Sequence, residues 1–245
     1  MDPIADKAVL ITGANRGIGR ALVSEALRRG ARRVYAGTRG VSPSPDERVV
    51  ALTLDVTDAA QIRAAVAAVG SLDVLINNAG IALYDDLRDP GVLERHLAVN
   101  LFGTYAVTQA FLPALVRTQG AVVNNLSVNA LAPLPLIPAY SASKAAALSL
   151  TQSLRALLAP QGVRVHAIFT GPVDTDMSRD LDIPKATPRS VAAAVFDALQ
   201  RGEHDIFPDP MSQSIADGWH SGPAKELERQ YAQLLAATPP ATAHA

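Results

Sequence analysis

The feature that most constrains this chain is an alternation of two segment types. Short apolar runs at residues 8–12, 33–38, 49–55, 74–77, 121–126 and 164–169 read as strands. Longer Ala- and Leu-rich segments at 17–29, 59–68, 93–117 and 141–158 carry helical spacing. Several of the short runs are apolar at every position, the pattern of a sheet covered on both faces. Strand and helix taking turns in this way implies a parallel sheet wound with helices on both sides. The expected fold is α/β, one doubly wound domain over residues 1–245 with about seven strands, the last at 204–207. The final third reads as an irregular substrate-loop segment at 170–188, helices near 189–200, 211–219 and 224–236, and a frayed tail at 237–245.

Composition removes several function classes. Of 245 residues, 49% are hydrophobic and 18% charged, which excludes disorder as the main state. A net charge of −1 offers no bulk attraction to nucleic acid or anionic membrane, and neither is expected as a partner. There is no cysteine, so disulfides, thiolate metal sites and cysteine nucleophiles are excluded together; no metal is expected. No run of 18 apolar residues and no secretory leader is read, which makes a cytoplasmic location the expectation.

The first strand leads into Thr12-Gly13-Ala14-Asn15-Arg16-Gly17-Ile18-Gly19 and then a helix. Glycines there let the backbone turn sharply and approach a ligand, while the helix N-terminus offers free amides to a pyrophosphate. This is a variant of the dinucleotide fingerprint of Rossmann-type sheets. The second strand ends at Thr38-Arg39. A carboxylate at that place would accept the ribose 2′-hydroxyl of NAD, whereas a guanidinium pairs with a 2′-phosphate. With Arg16 in the glycine turn as a second cation, the expected cofactor is NADP(H).

Tyr140 and Lys144 stand four apart, on one face of a helix. A free phenol titrates near ~10, and a neighbouring ammonium favours its ionised form. Ser127 ends a strand thirteen residues earlier, where the carboxyl ends of a parallel sheet face the ligand crevice. Alone, each has an ordinary structural explanation: a half-buried Tyr, a snorkelling Lys, a turn-capping Ser.

Taken together, these residues resemble the short-chain dehydrogenase/reductase family, in its compact single-domain branch, over about residues 7–208. Thr12-Gly13-x-x-x-Gly17-x-Gly19 is similar to the family's cofactor turn, Asp55-Val56 to its adenine-contacting element, and Asn77-Asn78-Ala79-Gly80 to its fourth-strand motif. Asn100, Ser127, Tyr140 and Lys144 fall on its catalytic tetrad. Gly171-Pro172-Val173-Asp174-Thr175 resembles the segment that contacts the nicotinamide and its phosphates. The resemblance implies that Tyr140 is the general acid in reduction, that Lys144 lowers its pKa and bonds the nicotinamide ribose, and that Ser127 orients the carbonyl. Asn100 is implied to hold a water linking Lys144 to solvent. Thr170 stands where the family usually has proline, which is expected to loosen the turn by the nicotinamide. Leu126 stands where a serine is frequent, which changes the pocket wall.

The loop before Tyr140 is apolar and carries Pro133, Pro135 and Pro138; with Leu134 there and Met177 in the later segment, an apolar or aromatic ketone or aldehyde is the expected substrate. A 3-oxoacyl-carrier-protein reductase is the alternative within the class, and a non-catalytic NADP(H)-binding sensor or scaffold the alternative outside it. The wide apolar arcs of 93–117 and 141–158, with the resemblance, point to a homodimer or homotetramer.

Overall fold

In this computed structural model, which describes residues 4–40 and 44–237, seven strands form one parallel sheet. They are β1 (Ala8–Thr12), β2 (Arg33–Thr38), β3 (Val49–Thr53), β4 (Val74–Asn77), β5 (Ala121–Asn125), β6 (Arg164–Ile168) and β7 (Asp205–Ile206). Their spatial order is β3-β2-β1-β4-β5-β6-β7, so the winding reverses between β1 and β4. At such a reversal the connections leave in opposite directions and open a crevice over the carboxyl ends of the strands. Of the expected tail, residues 238–245 lie outside the described residues.

Side-chain alternation along each strand assigns the two faces. Val9 and Ile11 of β1 pack with Leu22 and Ala26 of α1 (Gly17–Arg28) and with Val191, Val195 and Phe196 of α6 (Pro188–Arg201). Leu10 points the other way, into a core with Ile62 of α2 (Ala59–Ala68), Phe111 and Leu115 of α4 (Thr104–Thr118), and Leu154 of α5 (Pro138–Leu158). Phe111 is 1% exposed, so its truncation to Ala would cost about 3–5 kcal/mol. A smaller cluster of Phe169, Phe207 and Ala147, with Trp219 of α7 (Pro210–His220) against it, closes the β7 end. The remaining helices are α3 (Pro90–Leu97) and α8 (Pro223–Ala237).

Two departures from the sequence reading matter for the site. The segment expected as one helix over 93–117 is interrupted by a π-helical turn, Ala98–Gly103, that holds Asn100. One extra residue in a turn changes which side chain faces inward, and such turns gather at functional sites. Helix α5 starts at Pro138, three residues before expected, because proline suits a first helical position; Tyr140 therefore sits in the first turn.

By length and composition alone, the helical run Pro90–Thr118 could cross a membrane, with mean hydropathy 1.3 over its most apolar window. Val107, Phe111 and Leu115 are spent on the sheet core. Phe102 and Tyr105, 60% and 46% exposed, are not.

Candidate active site

The glycine turn is built for close approach. Gly13 has φ +65°, and a Cβ there would lie 2.9 Å from the Ala79 Cα; at Gly19 a Cβ would lie 2.1 Å from the Gly13 carbonyl oxygen. No side chain larger than hydrogen fits either place. Helix α1 opens at this turn with Arg16 as N-cap, whose side chain makes no capping bond, and its first turn has no acidic residue. By contrast, Asp58, Asp89, Thr187 and Asp209 cap α2, α3, α6 and α7 with side-chain oxygens. Uncapped amides at the positive end of a helix, beside backbone that admits no Cβ, fit a pyrophosphate.

Neighbouring strands fix the rest of the groove. The Ala14 amide donates to the Gly37 carbonyl at 3.2 Å, which seats the turn against the end of β2 and its Thr38 and Arg39. Thr38 is buried and its hydroxyl donates to the Gly40 carbonyl. Arg39 is exposed, and no carboxylate among the described residues pairs with it. Arg16 makes an exposed ion pair with Asp176 at 3.4 Å. Asn15 is exposed at the tip of the turn, while Ile18 leans on the core. One Asp55 carboxylate oxygen accepts from the Thr57 amide and hydroxyl at 2.9 and 2.7 Å, and Val56 packs under Gly103. Asn78 donates to the Thr12 and Gly13 carbonyls at 3.0 and 3.2 Å, while its own amide and that of Ala79 donate to the Thr12 hydroxyl.

The late segment folds over the same turn. The Gly171 amide donates to Asp209 at 2.7 Å, the Ala186 amide donates to the Pro172 carbonyl at 3.0 Å, and Val173 is buried beside Ala186. A Cβ on Gly17 would touch the Thr175 methyl at 3.1 Å, so Thr175 rests on the phosphate turn. The stretch expected to be irregular thus contains a β-bridge, Val173 to Ala186, and a short 3₁₀ turn carrying exposed Met177. Thr170, expected to loosen this turn because it replaces proline, is instead tied down on two sides. It is buried, its hydroxyl donates to Asn125 Oδ1 at 2.7 Å, and its carbonyl accepts from the Val128 amide.

Four residues meet at the carboxyl ends of β4 and β5. Ser127 is buried and accepts from the Asn129 amide at 3.1 Å. Burial raises the Tyr140 pKa above the ordinary phenol value, and a hydrogen bond with the Ser127 hydroxyl opposes part of that rise. Lys144 lies with its ammonium 5.7 Å from the Tyr140 ring centre and donates to the Asn125 carbonyl at 2.7 Å. Burial pushes its pKa down to about 8, and no carboxylate opposes this. In this structure, which holds no cofactor, burial is the largest influence on both groups: it raises the phenol and lowers the ammonium. Asn100 is buried, with its amide protons donated to the Ile81 carbonyl and Ser143 hydroxyl, and its oxygen accepting from the Ile81 amide. Its side chain is occupied in joining α5 to the loop after β4.

The pocket wall adds residues that sequence reading missed. His96 is buried, accepts from the Leu83 amide at 3.1 Å through Nε2, and stands edge-on to Tyr140 at 6.2 Å between ring centres. Asp85 accepts from the Ala139 amide at the start of α5. Both pin the loop after β4 beside Tyr140, and exposed Leu83, Tyr84 and Leu87 lie on that loop. Leu134 is half-buried, with its amide donating to the Ser141 hydroxyl at 3.1 Å. Neither His96 nor Asp85 lies in a motif, so only the tertiary fold reveals them.

A reversing parallel sheet, a glycine cradle at the first helix and a Ser–Tyr–Lys cluster beside it define a nucleotide-dependent oxidoreductase class. The family model described as short chain dehydrogenase matches residues 7–185. The chain belongs to the short-chain dehydrogenase/reductase family. A short chain dehydrogenase from Burkholderia cenocepacia, solved in complex with NADP, is 38% identical; the match covers 93% of this chain and 98% of that one, with TM-score 0.85. An L-rhamnose 1-dehydrogenase (NAD(P)(+)) from Azotobacter vinelandii is 36% identical over 232 residues, 85% of this chain and 89% of the relative. An NADPH-bound carbonyl reductase from chicken fatty liver is 28% identical over 80% of this chain and 92% of that one, with TM-score 0.75.

Proposed function

We propose that the chain is an NADP(H)-dependent carbonyl reductase, acting between an apolar or aromatic ketone or aldehyde and its alcohol. The observation that carries this is the Ser127–Tyr140–Lys144 cluster, with Ser127 and Lys144 buried and Tyr140 half-buried, at the carboxyl end of β5, with β4 between it and the glycine cradle after β1. The bound nicotinamide supplies or takes up the hydride. Tyr140, its pKa raised, holds its proton at neutral pH and delivers it to the substrate oxygen as charge develops there. Ser127 gives that oxygen a second hydrogen-bonding partner. Lys144 has one bond of its three donors directed to Asn125, which leaves two for the nicotinamide ribose. In the alcohol-oxidising direction its positive charge assists loss of the phenol proton.

Arg39 and Arg16 would hold the 2′-phosphate, Arg16 by leaving an exposed pair that contributes about 1 kcal/mol or less. Asp55 and Val56 would face the adenine, Asn78, Ala79 and Gly80 the central ribose region, and Gly171, Pro172, Val173 and Thr175 the nicotinamide and its phosphate. The family members solved with NADP or NADPH support this assignment. For the substrate, the loops beside Tyr140 present Leu83, Tyr84, Leu87 and Leu136, and the late segment presents Met177. A sugar needs convergent polar groups, so these favour an apolar substrate over a polyol like that of the rhamnose-oxidising relative. Leu134 and Met177 would contact it. Exposed Phe102 of the π-turn, Tyr105 of α4 and Leu157 of α5 support a homodimer or homotetramer through this face.

The test is NADPH oxidation against a panel of aromatic, aliphatic and sugar carbonyls, with NADH alongside. Tyr140→Phe should lose at least about 10²-fold in kcat while its NADPH Kd changes less than threefold. Activity confined to polyols would sink the substrate assignment. A Tyr140→Phe enzyme with wild-type kcat would sink the mechanism.

A further inference from the structure

The carboxyl ends of four adjacent strands are joined by side chains in spatial order. The Thr170 hydroxyl, just past β6, donates to Asn125 Oδ1 at 2.7 Å on β5. Asn125 Nδ2 donates to Asn78 Oδ1 at 3.0 Å, just past β4. Asn78 Nδ2 donates to the carbonyls of Thr12 and Gly13, at the end of β1. The strands run β1-β4-β5-β6 in the sheet, so the chain of bonds skips none of them.

The direction of these bonds is forced. Two main-chain carbonyls can only accept, so the Asn78 group facing them is its NH₂. Its oxygen then faces Asn125, which must present NH₂ in turn, and the Asn125 oxygen is left for Thr170, which must donate. Every amide orientation follows from the carbonyls of the glycine turn. Aligned bonds of this kind polarise and strengthen one another in a partly buried setting. Meanwhile the Asn125 main-chain carbonyl holds the Lys144 ammonium at 2.7 Å. One residue therefore seats the cation with its backbone and, with its side chain, ties the turn before Gly171 to the phosphate turn.

We propose that Asn125 is a positioning residue of the reaction, locked by Thr170, that fixes Lys144 relative to both ends of the cofactor groove. This rests on the carbonyl reductase reading above. Asn125 touches none of the reacting atoms and acts through Lys144 and Asn78. Releasing its side chain lets the β5 end shift, which weakens the Lys144 bond to its carbonyl. A weaker acceptor disfavours the ammonium and moves its titration to lower pH. A merely structural contact would reduce stability and leave the pH profile in place.

The experiment compares wild type, Thr170→Val, Thr170→Ser, Asn125→Leu and the Thr170→Val/Asn125→Leu double variant. Thr170→Val removes one hydroxyl at nearly constant shape and is the variant expected to fold if Asn125→Leu does not. Thr170→Val should lower kcat about 5- to 20-fold, weaken NADPH about 3- to 10-fold, and move the high-pH limb of kcat down by about half a unit. Thr170→Ser, which keeps the donor, should restore all three to within twofold of wild type. The double variant should fall no further than Asn125→Leu alone, because both break one chain. A Thr170→Val enzyme with a wild-type pH limb and NADPH Kd, or one that Thr170→Ser resembles, overturns the proposal. Wild-type protein that binds NADPH but reduces no carbonyl defeats the reductase reading instead; the NADPH titrations of the same variants then decide the inference. Wild type that fails to bind NADPH defeats both.

Discussion

Replacing Lys144 by Met should change how the protein's stability depends on pH, and the size follows from one buried charge. Lys144 is 6% exposed, with its pKa lowered from 10.5 to about 8 by desolvation. A lysine with a depressed folded-state pKa makes a charged folded state costly, so the penalty is full below pH 8. Between pH 8 and 10.5 the unfolded chain holds more protons than the folded one, and stability rises with pH. Each pKa unit is worth about 1.4 kcal/mol, so the full penalty is about 3 kcal/mol, of which about 2 is relieved between pH 7 and 9.5. Lys144→Met has no such group. The assay is urea unfolding of both proteins at pH 7 and 9.5, taking the change in their stability difference. The subtraction cancels every other titrating group except those that feel Lys144. Wild type should gain about 2 kcal/mol relative to the variant over that interval. A difference constant to within about 0.5 kcal/mol would show that Lys144 is not desolvated as its surroundings imply.

Arg39→Ala should weaken NADPH binding by about 10-fold or more and leave NADH within twofold, measured by cofactor fluorescence; equal loss for both would remove Arg39 from the 2′-phosphate. His166 is buried with its pKa lowered to about 4 from 6.5. A neutral buried histidine gives its full contribution above pH 6.5 and loses it as pH falls toward 4, about 3 kcal/mol in all; His166→Gln should flatten much of the acid limb of stability. His204, stacked on it at 5.7 Å and also lowered, keeps part of that limb. Phe102→Glu should shift the protein to a smaller assembly in light scattering while its monomer stays folded; an unchanged mass would exclude that face of the helix from the interface.

The strands were legible because burial on both faces leaves them little but Val, Ile, Leu and Ala, and β1, β2 and β4 match their sequence bounds residue for residue. The glycine turn was legible because only glycine fits it. What stayed hidden depends on contacts between distant residues. The π-turn at Ala98–Gly103 has no local pattern that announces it, and within it Asn100 accepts from the Ile81 amide across nineteen residues. The joining of Arg155 to Asp205 and Glu228 spans 50 and 73 residues, beyond any local pattern. Asn125 did leave a trace, since an asparagine is poorly suited to a strand and invites a question about its partner. Nothing in the sequence names Thr170 as that partner. The weight of burial at the phenol stayed hidden for a similar reason: spacing shows that two groups are close, not how little water reaches them.

Helix α5 carries a cation near each end, Lys144 buried and Arg155 half-buried, and the two differ in what surrounds them. Near the C-terminal end, Arg155 bonds Asp205 at 2.6 Å and also Glu228, while Lys225 joins both acids. There the charges offset one another, and Asp205 is held below its ordinary carboxylate pKa by Arg155 and Lys225 despite its burial. Removing one partner of such a buried set costs about 3–5 kcal/mol, so it fixes where α5 lies on the sheet and anchors α8 against it. At the other end Lys144 is more deeply buried, yet its hydrogen-bond partner is a neutral carbonyl and its pKa falls instead. A fold that paired Arg155 twice could have supplied Lys144 with a carboxylate. Such a carboxylate would cancel the field that a developing phenolate at Tyr140 needs. On the proposed reading, the absence of a carboxylate beside Lys144 among the described residues suits it to proton transfer, whereas the ion-paired Arg155 on the same helix holds α5 and α8 to the end of the sheet.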